Sequence, residues 1–304
     1  MNLFPDTLPI YAGLPRSAGG QEWLDALPGL VADLAERWGL ELGEPFHGGS
    51  ASWVAPATRS DGSPAVLKIS WPHREAREEA TALRLWDGQG ACRLLAEDRD
   101  AYALLIERCR PGVLLKDLDT PADERLLAAA AVLAKLWSAG AAPGFEAVAD
   151  VTAEWADVAA ERMGRLRPPY DPGLVRHGVE LLRSLPRTAT RSVIVHGDFN
   201  PGNLLSADRA GWLAIDAKPM VGDPGYDPFP LLMQVDPPFL SDDPGPVLRH
   251  RYRLFAGAVG EPVERLLAWS VARGVESALW YASRDDVPAG ADAMAEATTL
   301  ADLL

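Results

Sequence analysis

The sequence predicts an α+β fold with a β-rich first part and a mostly helical second part. At 304 residues the chain is long enough for two such parts. Before residue 110, short apolar runs are separated by turns rich in glycine, proline, aspartate and serine, a pattern typical of strands joined by tight turns. After residue 110, apolar residues recur mostly at steps of three and four, which indicates amphipathic helices.

The elements of the first part follow in order from these patterns. Apolar positions on one helical face predict a leading helix that ends near Gly39. A glycine-rich bend, Gly48-Gly49-Ser50, and a turn over 60–64 predict a β-hairpin. The predicted elements are a helix over 21–40, the hairpin within 44–70, a helix over 73–87, and strands near 92–96 and 101–106.

Helices dominate the predicted second part, and two short strands interrupt them. A proline-rich stretch over 219–246 separates the strands from the closing helices. The predicted helices lie over 122–138, 151–167, 172–185, 247–259, 263–283 and 291–304, and the strands over 193–195 and 212–215. The change of pattern near residue 110 predicts two domains, 1–109 and 110–304.

The composition excludes several classes of protein. Forty-three acidic and 29 basic residues give a formal net charge of -14, so we expect no binding to nucleic acid or to anionic membranes, whereas a cationic ligand would be attracted. The two cysteines predict neither a disulfide framework nor a zinc site. No leader pattern or apolar run of about 18 residues is present, which predicts a cytoplasmic protein. The oligomeric state is left open.

One segment carries residues suited to phosphoryl transfer. An apolar strand runs into His196-Gly197-Asp198, Asn203 follows Asp198 by five residues, and a second strand ends at Asp216. The reaction needs a carboxylate that faces the acceptor hydroxyl and hard oxygen ligands for Mg²⁺. Asp198 suits the first role, and Asn203 with Asp216 suits the second. Each residue alone could simply shape a turn, but together they match the spacing of a protein-kinase catalytic loop and its metal aspartate.

These residues also carry a resemblance to a known family. The sequence HGDFNPGN over 196–203 resembles the HGDxxxxN signature of the aminoglycoside phosphotransferase family, which has a bilobal protein-kinase-like fold. The continuation from Asp216 through Lys218 and Pro219 is similar to the streptomycin 6-kinase and hydroxyurea phosphotransferase branch. The resemblance implies a nucleotide-binding lobe over 1–109 and a catalytic, acceptor-binding lobe over 110–304.

The activity that the resemblance implies is transfer of the γ-phosphoryl group of ATP to a hydroxyl of a small molecule, such as a streptomycin-like aminoglycoside or hydroxyurea. The sequence does not distinguish ATP from GTP. A kinase of an endogenous amino alcohol or sugar is an alternative. A nucleotide-binding pseudokinase is another, although such proteins usually lack the base, the lysine or a metal ligand, and this chain has all of them.

The resemblance also implies nucleotide-binding residues in the first part. Lys68 resembles the strand lysine that contacts the α- and β-phosphates, and Glu79 resembles its helix partner. Glu75 is an alternative partner for Lys68. The backbone N–H groups of the bend at Gly48, Gly49 and Ser50 could bind phosphates. The segment over 105–109 resembles the hinge whose backbone binds adenine, which makes Glu107 and Cys109 further candidates.

Other residues are expected to support the loop or bind the acceptor. We expect His196 to pack under the loop and orient it, and Asp223 and Asp227 to brace it. An amino- or guanidino-bearing acceptor calls for carboxylates in the helical part, although such acids could equally form solvated helix faces and a tryptophan could belong to the core. The acceptor-binding candidates are Asp236, Glu276, Trp280, Asp285 and Asp286.

Overall fold

The chain folds into two units. The computed structural model describes residues 2–304. The first unit ends at Gly112 and also includes Ala207–Arg209, and the second unit comprises Val113–Ser206 and Ala210–Leu304.

The first unit is built on a five-stranded antiparallel sheet. Its strand order is β1-β2-β3-β5-β4. Strand β3 lies at the centre, and every residue of it after Pro64 is buried, which agrees with the apolar run that predicted it. The elements are α1 (Ile10–Gly13), α2 (Gly20–Trp38), β1 (Leu40–Leu42), β2 (Ser52–Arg59), β3 (Pro64–Ser70), α3 (Glu79–Trp86), β4 (Leu94–Asp98) and β5 (Ala103–Glu107).

Helix α2 packs its apolar face on this sheet. Leu27 and Leu34 from the helix are fully buried in one cluster with Trp53 and Ile69 from the strands. The helix ends at Gly39, which adopts a left-handed φ of 59°, a conformation that glycine reaches without a steric penalty. The predicted leading helix and its glycine end are therefore confirmed.

The second unit is mostly helical and contains most of two small sheets, whose residues Pro111, Gly112 and Ala207 are grouped with the first unit. One sheet pairs β7 with β10 in antiparallel register, and the other has the order β6-β8-β9. The strands are β6 (Pro111–Leu114), β7 (Val193–Val195), β8 (Leu204–Ala207), β9 (Gly211–Ala214) and β10 (Met220–Gly222). The helices are α4 (Ala122–Trp137), α5 (Val148–Leu166), α6 (Pro172–Ser184), α7 (Pro228–Gln234), α8 (Pro244–Val259), α9 (Val263–Ala282) and α10 (Val287–Ala301).

Helix α9 is the centre of the helical packing. Trp269, Val275 and Leu279 are fully buried along it. Gly178 of α6 lies so close to α9 that a Cβ atom there would approach Val275 to 2.7 Å, so a larger residue would push the two helices apart. Among residues 2–304, no helix has both the length and the apolar composition needed to cross a bilayer.

Several predicted boundaries differ from the structure. The helix predicted over 73–87 begins at Glu79, after a separate 3-10 turn over Arg74–Ala76. The last helix begins at Val287 and not at 291, since Pro288 lies in its first turn, where the missing N–H has no helical partner to lose. Helix α7 was not predicted, because its prolines at 228 and 230 indicated a loop.

The predicted domains also differ from the observed units. The sequence placed 207–209 in the second domain, whereas the structure groups this segment with the first unit. The reason is local bonding: Arg209 donates to both carboxylate oxygens of Glu107 at 2.9 Å, and Asp208 N donates to Arg110 O at 2.7 Å.

Candidate active site

Two buried side chains, the carboxylate of Asp227 and the imidazole of His196, hold the loop after β7 through hydrogen bonds. Asp227 accepts hydrogen bonds at 2.9 Å from the backbone N–H groups of His196 and Gly197 and at 3.0 Å from Trp137 Nε1. His196 is fully buried, and its Nε2 lies 3.0 Å from Ile215 O. The structure therefore confirms that Asp227 and His196 brace and orient this loop.

The protonation of these two groups follows from their burial. Asp198 N donates to His196 Nδ1 at 3.3 Å, so the proton of the ring is assigned to Nε2, which donates to Ile215 O. Burial lowers the pKa of His196, which keeps the imidazole neutral at pH 7. Burial also raises the pKa of the Asp227 carboxyl, against the effect of the hydrogen bonds that it accepts.

The carboxylate of Asp198 is held by two side chains. Lys218 Nζ donates to its Oδ2 at 2.8 Å, and Asn200 Nδ2 donates to its Oδ1 at 3.0 Å. Burial raises the pKa of Asp198, but the Lys218 ammonium and the hydrogen bonds from Lys218 and Asn200 outweigh burial, so the pKa lies below its ordinary value. Asp198 is therefore an anion near neutral pH.

A backbone hydrogen bond links Asn203, which ends the loop after β7, to the residue that precedes Asp216. Asn203 Nδ2 donates to the backbone oxygen of Asp198 at 2.9 Å, so the amide nitrogen is engaged in the loop and the amide oxygen is the atom suited to a metal. Ile215 N donates to Asn203 O at 3.0 Å, which places Asp216 directly after a residue bonded to Asn203. Asp216 adopts a left-handed φ of 58°, an uncommon conformation for a residue other than glycine.

Asp223 holds helix α9 and does not reach into the loop. Arg265 Nε donates to its two oxygens at 3.1 and 3.0 Å, and Trp269 Nε1 donates to Oδ2 at 2.6 Å. The carboxylate also accepts from Gly225 N at 3.0 Å. Its structural role is confirmed, although it braces the helical core and the turn that leads to Asp227, whereas Asp227 braces the loop itself.

In the first unit, Lys68 pairs with Glu79. Lys68 Nζ lies 2.7 and 2.6 Å from the two carboxylate oxygens of Glu79, and both residues are buried. The sequence left Glu75 open as a partner, and the structure gives Glu79 this contact. The geometric reason is that α3 begins at Glu79, whereas Glu75 lies in the preceding 3-10 turn.

The other candidates of the first unit fall into two groups. Gly48, Gly49 and Ser50 lie exposed between β1 and β2, and Gly49 has a left-handed φ of 88°. Glu107 ends β5, and its side chain is engaged by Arg209. Cys109 is buried, which raises the pKa of its thiol to about 11. The Glu107 side chain is thus paired with Arg209 and the Cys109 side chain is buried. Only the backbone groups of these two residues remain candidates for nucleotide binding.

Two acceptor-binding candidates lie on α9. Glu276 is paired with Arg162 of α5 at 3.3 Å, and burial raises its pKa despite the nearby guanidinium groups. Trp280 is 39% exposed, and the Arg284 guanidinium lies 4.4 Å from the centroid of its ring. Trp280 is therefore not a core residue, while Glu276 already has a cationic partner.

The remaining acceptor-binding candidates lie outside α9. Asp286 is the N-cap of α10 and accepts from Ala289 N at 3.2 Å. Asp285, directly before it, has a left-handed φ of 62°. Asp236 follows α7, away in sequence from the others, and pairs with Arg125 at 2.5 Å. Asp286 and Asp236 thus have partners within the protein, and the part of all three residues in acceptor binding stays a prediction.

Sequence reasoning missed two residues that contact Asp198. Lys218 entered only as part of a branch pattern, and Asn200 was not singled out. Lys218 lies just before β10, which begins at Met220 and pairs with β7, and no pattern in the sequence signals this pairing. This antiparallel pairing returns the chain to the start of the catalytic loop.

The fold is that of protein-kinase-like small-molecule kinases. The solved structure of choline kinase LicA from Streptococcus pneumoniae matches this chain with a TM-score of 0.63 at 14% identity, over 91% of this chain and 99% of that one. The predicted α+β, kinase-like fold is therefore confirmed, with a β-sheet first part and a helical second part.

Sequence relatives define the family. The family described as "Aminoglycoside/hydroxyurea antibiotic resistance kinase" matches residues 37–285. A hydroxyurea phosphotransferase of Kitasatospora aureofaciens is 35% identical over 89% of this chain and 77% of its own length. A streptomycin 6-kinase of Streptomyces glaucescens is 33% identical over 97% of this chain and 95% of its own length.

The chain therefore belongs to the aminoglycoside/hydroxyurea antibiotic resistance kinase family, and it is an ATP-dependent phosphotransferase. The predicted branch is confirmed. The two alternatives that the sequence left open, a kinase of an endogenous metabolite and a pseudokinase, are not favoured by these relatives.

Proposed function

We propose that this kinase transfers the γ-phosphoryl group of ATP to a hydroxyl of a streptomycin-like aminoglycoside or of hydroxyurea, in the cytoplasm. The names of the two relatives support this choice of acceptor. The formal charge of -14 favours a cationic acceptor such as an aminoglycoside through long-range attraction.

Asp198 is the acceptor-facing base in this proposal. It accepts a hydrogen bond from the acceptor hydroxyl and takes the proton as the acceptor oxygen bonds to the γ-phosphorus. The bond from the γ-phosphorus to the bridging oxygen breaks in the same step, and ADP leaves. A carboxylate with a lowered pKa is a weak base, so its main contribution is to orient the hydroxyl, and the proton moves late.

Asn203 and Asp216 are the proposed Mg²⁺ ligands. Their donor atoms, one amide oxygen and one carboxylate, fit the preference of Mg²⁺ for hard oxygen ligands, and protein sites commonly supply only one or two carboxylates. The fit is supported by the engagement of the Asn203 amide nitrogen with Asp198 O, which leaves the oxygen as the metal-facing atom. When bound, Mg²⁺ neutralises phosphate charge.

The Lys68–Glu79 pair is the proposed anchor for the nucleotide phosphates. The carboxylate fixes the Lys68 ammonium with two short hydrogen bonds in a buried setting. A lysine held in this way loses little conformational freedom when it meets an anion. The exposed bend at 48–50 is the second proposed phosphate contact, through backbone N–H groups.

One observation carries the proposal. Lys218 and Asn200 both donate hydrogen bonds to the Asp198 carboxylate, and the same segment supplies the oxygen atoms of Asn203 and Asp216. The direct test is incubation of the purified protein with Mg-ATP and either streptomycin or hydroxyurea, with ADP release and the phosphorylated product measured. We expect a phosphorylated product with at least one of them and none with Asp198→Asn. If neither compound is phosphorylated while nucleotide still binds, the acceptor claim fails and the kinase assignment stands.

A further inference from the structure

The backbone of Lys218 is fixed against the start of the catalytic loop. Lys218 N donates to His196 O at 2.8 Å. On the other side, Gly197 has a left-handed φ of 83°, and a Cβ atom there would lie 1.9 Å from Lys218 O. The backbone of Lys218 is therefore held against the two residues that precede Asp198, and from there its ammonium reaches the Asp198 carboxylate at 2.8 Å.

The ion pair that Lys218 forms with Asp198 is only partly buried, in contrast to the buried pair of Lys68 and Glu79. Its side chains are 36% and 28% exposed, and pairs with this exposure contribute little to folding stability. Asp198 is also held by Asn200 and by the loop backbone. Stability and orientation alone thus give little reason for a lysine at this position.

The charges of the loop give a better reason. Asp198 in the loop after β7 and Asp216 after β9 are both carboxylates, and a triphosphate adds further negative charge. Without a cation, an anionic base would repel the anionic phosphoryl group that it must approach. An ammonium group has three N–H donors, so one lysine can hold Asp198 and a phosphoryl oxygen together.

We propose that Lys218 is a further catalytic residue of the transfer reaction, whose ammonium holds the Asp198 carboxylate and binds the phosphoryl group as it moves to the acceptor. This inference rests on the proposed function of the Asp198 loop. No bond to Lys218 forms or breaks, and its proton stays on nitrogen. The role is electrostatic, since positioned cations lower the barrier when charge develops on a transferring group.

The test compares Lys218→Met, Lys218→Arg and the control Lys135→Met, an exposed lysine on α4. We expect Lys218→Met to lower kcat by about 10²–10³. Calorimetry of nucleotide binding separates loss of the phosphoryl contact from a general loss of nucleotide affinity. The affinity for Mg-AMP-PNP should fall about tenfold, as for a lost charged hydrogen bond. The affinity for Mg-ADP, which lacks the γ-phosphoryl group, should change less than about twofold. Lys218→Arg keeps the charge and should recover much of both losses, and the control should match wild type.

Three results would overturn the proposal. They are wild-type turnover by Lys218→Met, an equal loss of affinity for AMP-PNP and ADP, and a Lys218→Arg enzyme no better than Lys218→Met. The binding measurements need no acceptor. A wrong acceptor therefore leaves the wild type without turnover but leaves the nucleotide comparison intact, so failure of the proposed function is distinguishable from failure of this inference.

Discussion

Each of the two units contains a lysine–carboxylate pair, and the two pairs differ in their access to water. In the first unit, the Lys68 and Glu79 side chains are 6% and 3% exposed, and two hydrogen bonds join them. In the second unit, Lys218 and Asp198 are 36% and 28% exposed, with one hydrogen bond of 2.8 Å. The sequence pattern that indicates a strand lysine or a loop aspartate does not reveal this difference.

Burial decides what each pair can do. Removal of one partner of a buried pair leaves an uncompensated charge and costs about 3–5 kcal/mol, whereas an exposed pair is worth about 0–1 kcal/mol. The Lys68–Glu79 pair is thus part of the scaffold that holds Lys68 in place. The Lys218–Asp198 pair can open and re-form around a substrate at little cost, which suits groups that contact reacting atoms.

The largest expected effect falls on the more exposed of the two pairs, Lys218–Asp198. Asp198→Asn removes the proposed base while it keeps the size of the side chain, so turnover should fall by about 10²–10⁴ with little change in nucleotide affinity. Steady-state kinetics and nucleotide titration measure the two quantities. Asp157→Asn, which breaks the surface pair with Arg183, is the matched control and should retain wild-type turnover. A fully active Asp198→Asn enzyme would assign the base to another residue.

The next effect falls on the buried pair. Glu79→Gln leaves the Lys68 ammonium buried without its counter-ion, so the free energy of unfolding should fall by about 3–5 kcal/mol in a denaturant titration. The double variant Lys68→Met with Glu79→Leu removes both charges and should recover most of that stability. It should not recover turnover, because Lys68 is absent. If Glu79→Gln and wild type had the same free energy of unfolding, the buried Lys68–Glu79 pair would not contribute to the stability of the fold.

The sequence predicted the chemistry of the loop better than its contacts. Asp198, Asn203 and Asp216 match the spacing of a protein-kinase catalytic loop and its metal aspartate, so the pattern identifies them without knowledge of their contacts. The contact from Lys218 to Asp198 depends instead on the pairing of β10 with β7, and no local periodicity encodes the register of distant strands.

The same limit explains the acceptor-binding candidates. Glu276 and Asp236 were chosen for their charge, but their partners Arg162 and Arg125 come from other helices. Whether a carboxylate is solvated, paired or available to a ligand is a tertiary property. The leading helix, the hairpin and most later helices were predicted well, since hydrophobic periodicity reports the buried face of each element.

A third ion pair, Arg209–Glu107, is intermediate between the other two in its exposure to water. Arg209 and Glu107 are 28% and 21% exposed, with two hydrogen bonds of 2.9 Å. Burial raises the pKa of Glu107, but the Arg209 guanidinium and hydrogen bonds outweigh burial and hold it below its ordinary value of 4.5. A lowered pKa in the folded state stabilises the fold above pH 4.5, and this contribution is lost as the pH falls through the folded pKa.

We therefore expect Glu107→Gln to lower the free energy of unfolding near pH 7 by about 1.5–3 kcal/mol, the range for hydrogen bonds to a charged group. The difference from wild type should shrink as the pH falls below the ordinary value for glutamate. Denaturant titrations at several pH values measure it, with Glu36→Gln on the exposed face of α2 as the control. A difference that grows on acidification would mean that the carboxyl is stabilised in its neutral form.

The smallest effect on stability is expected for loss of the Lys218 ammonium. Lys218→Met breaks an ion pair that water already screens, and Asp198 keeps its hydrogen bond from Asn200, so the free energy of unfolding should change by less than about 1 kcal/mol. Lys68→Met, measured beside it, should lose several times as much, because Glu79 is left charged in a buried site. Similar losses for the two lysine variants would show that exposure does not separate the pairs. A stable Lys218→Met protein with lowered turnover would instead locate the role of this lysine in the reaction and not in the fold.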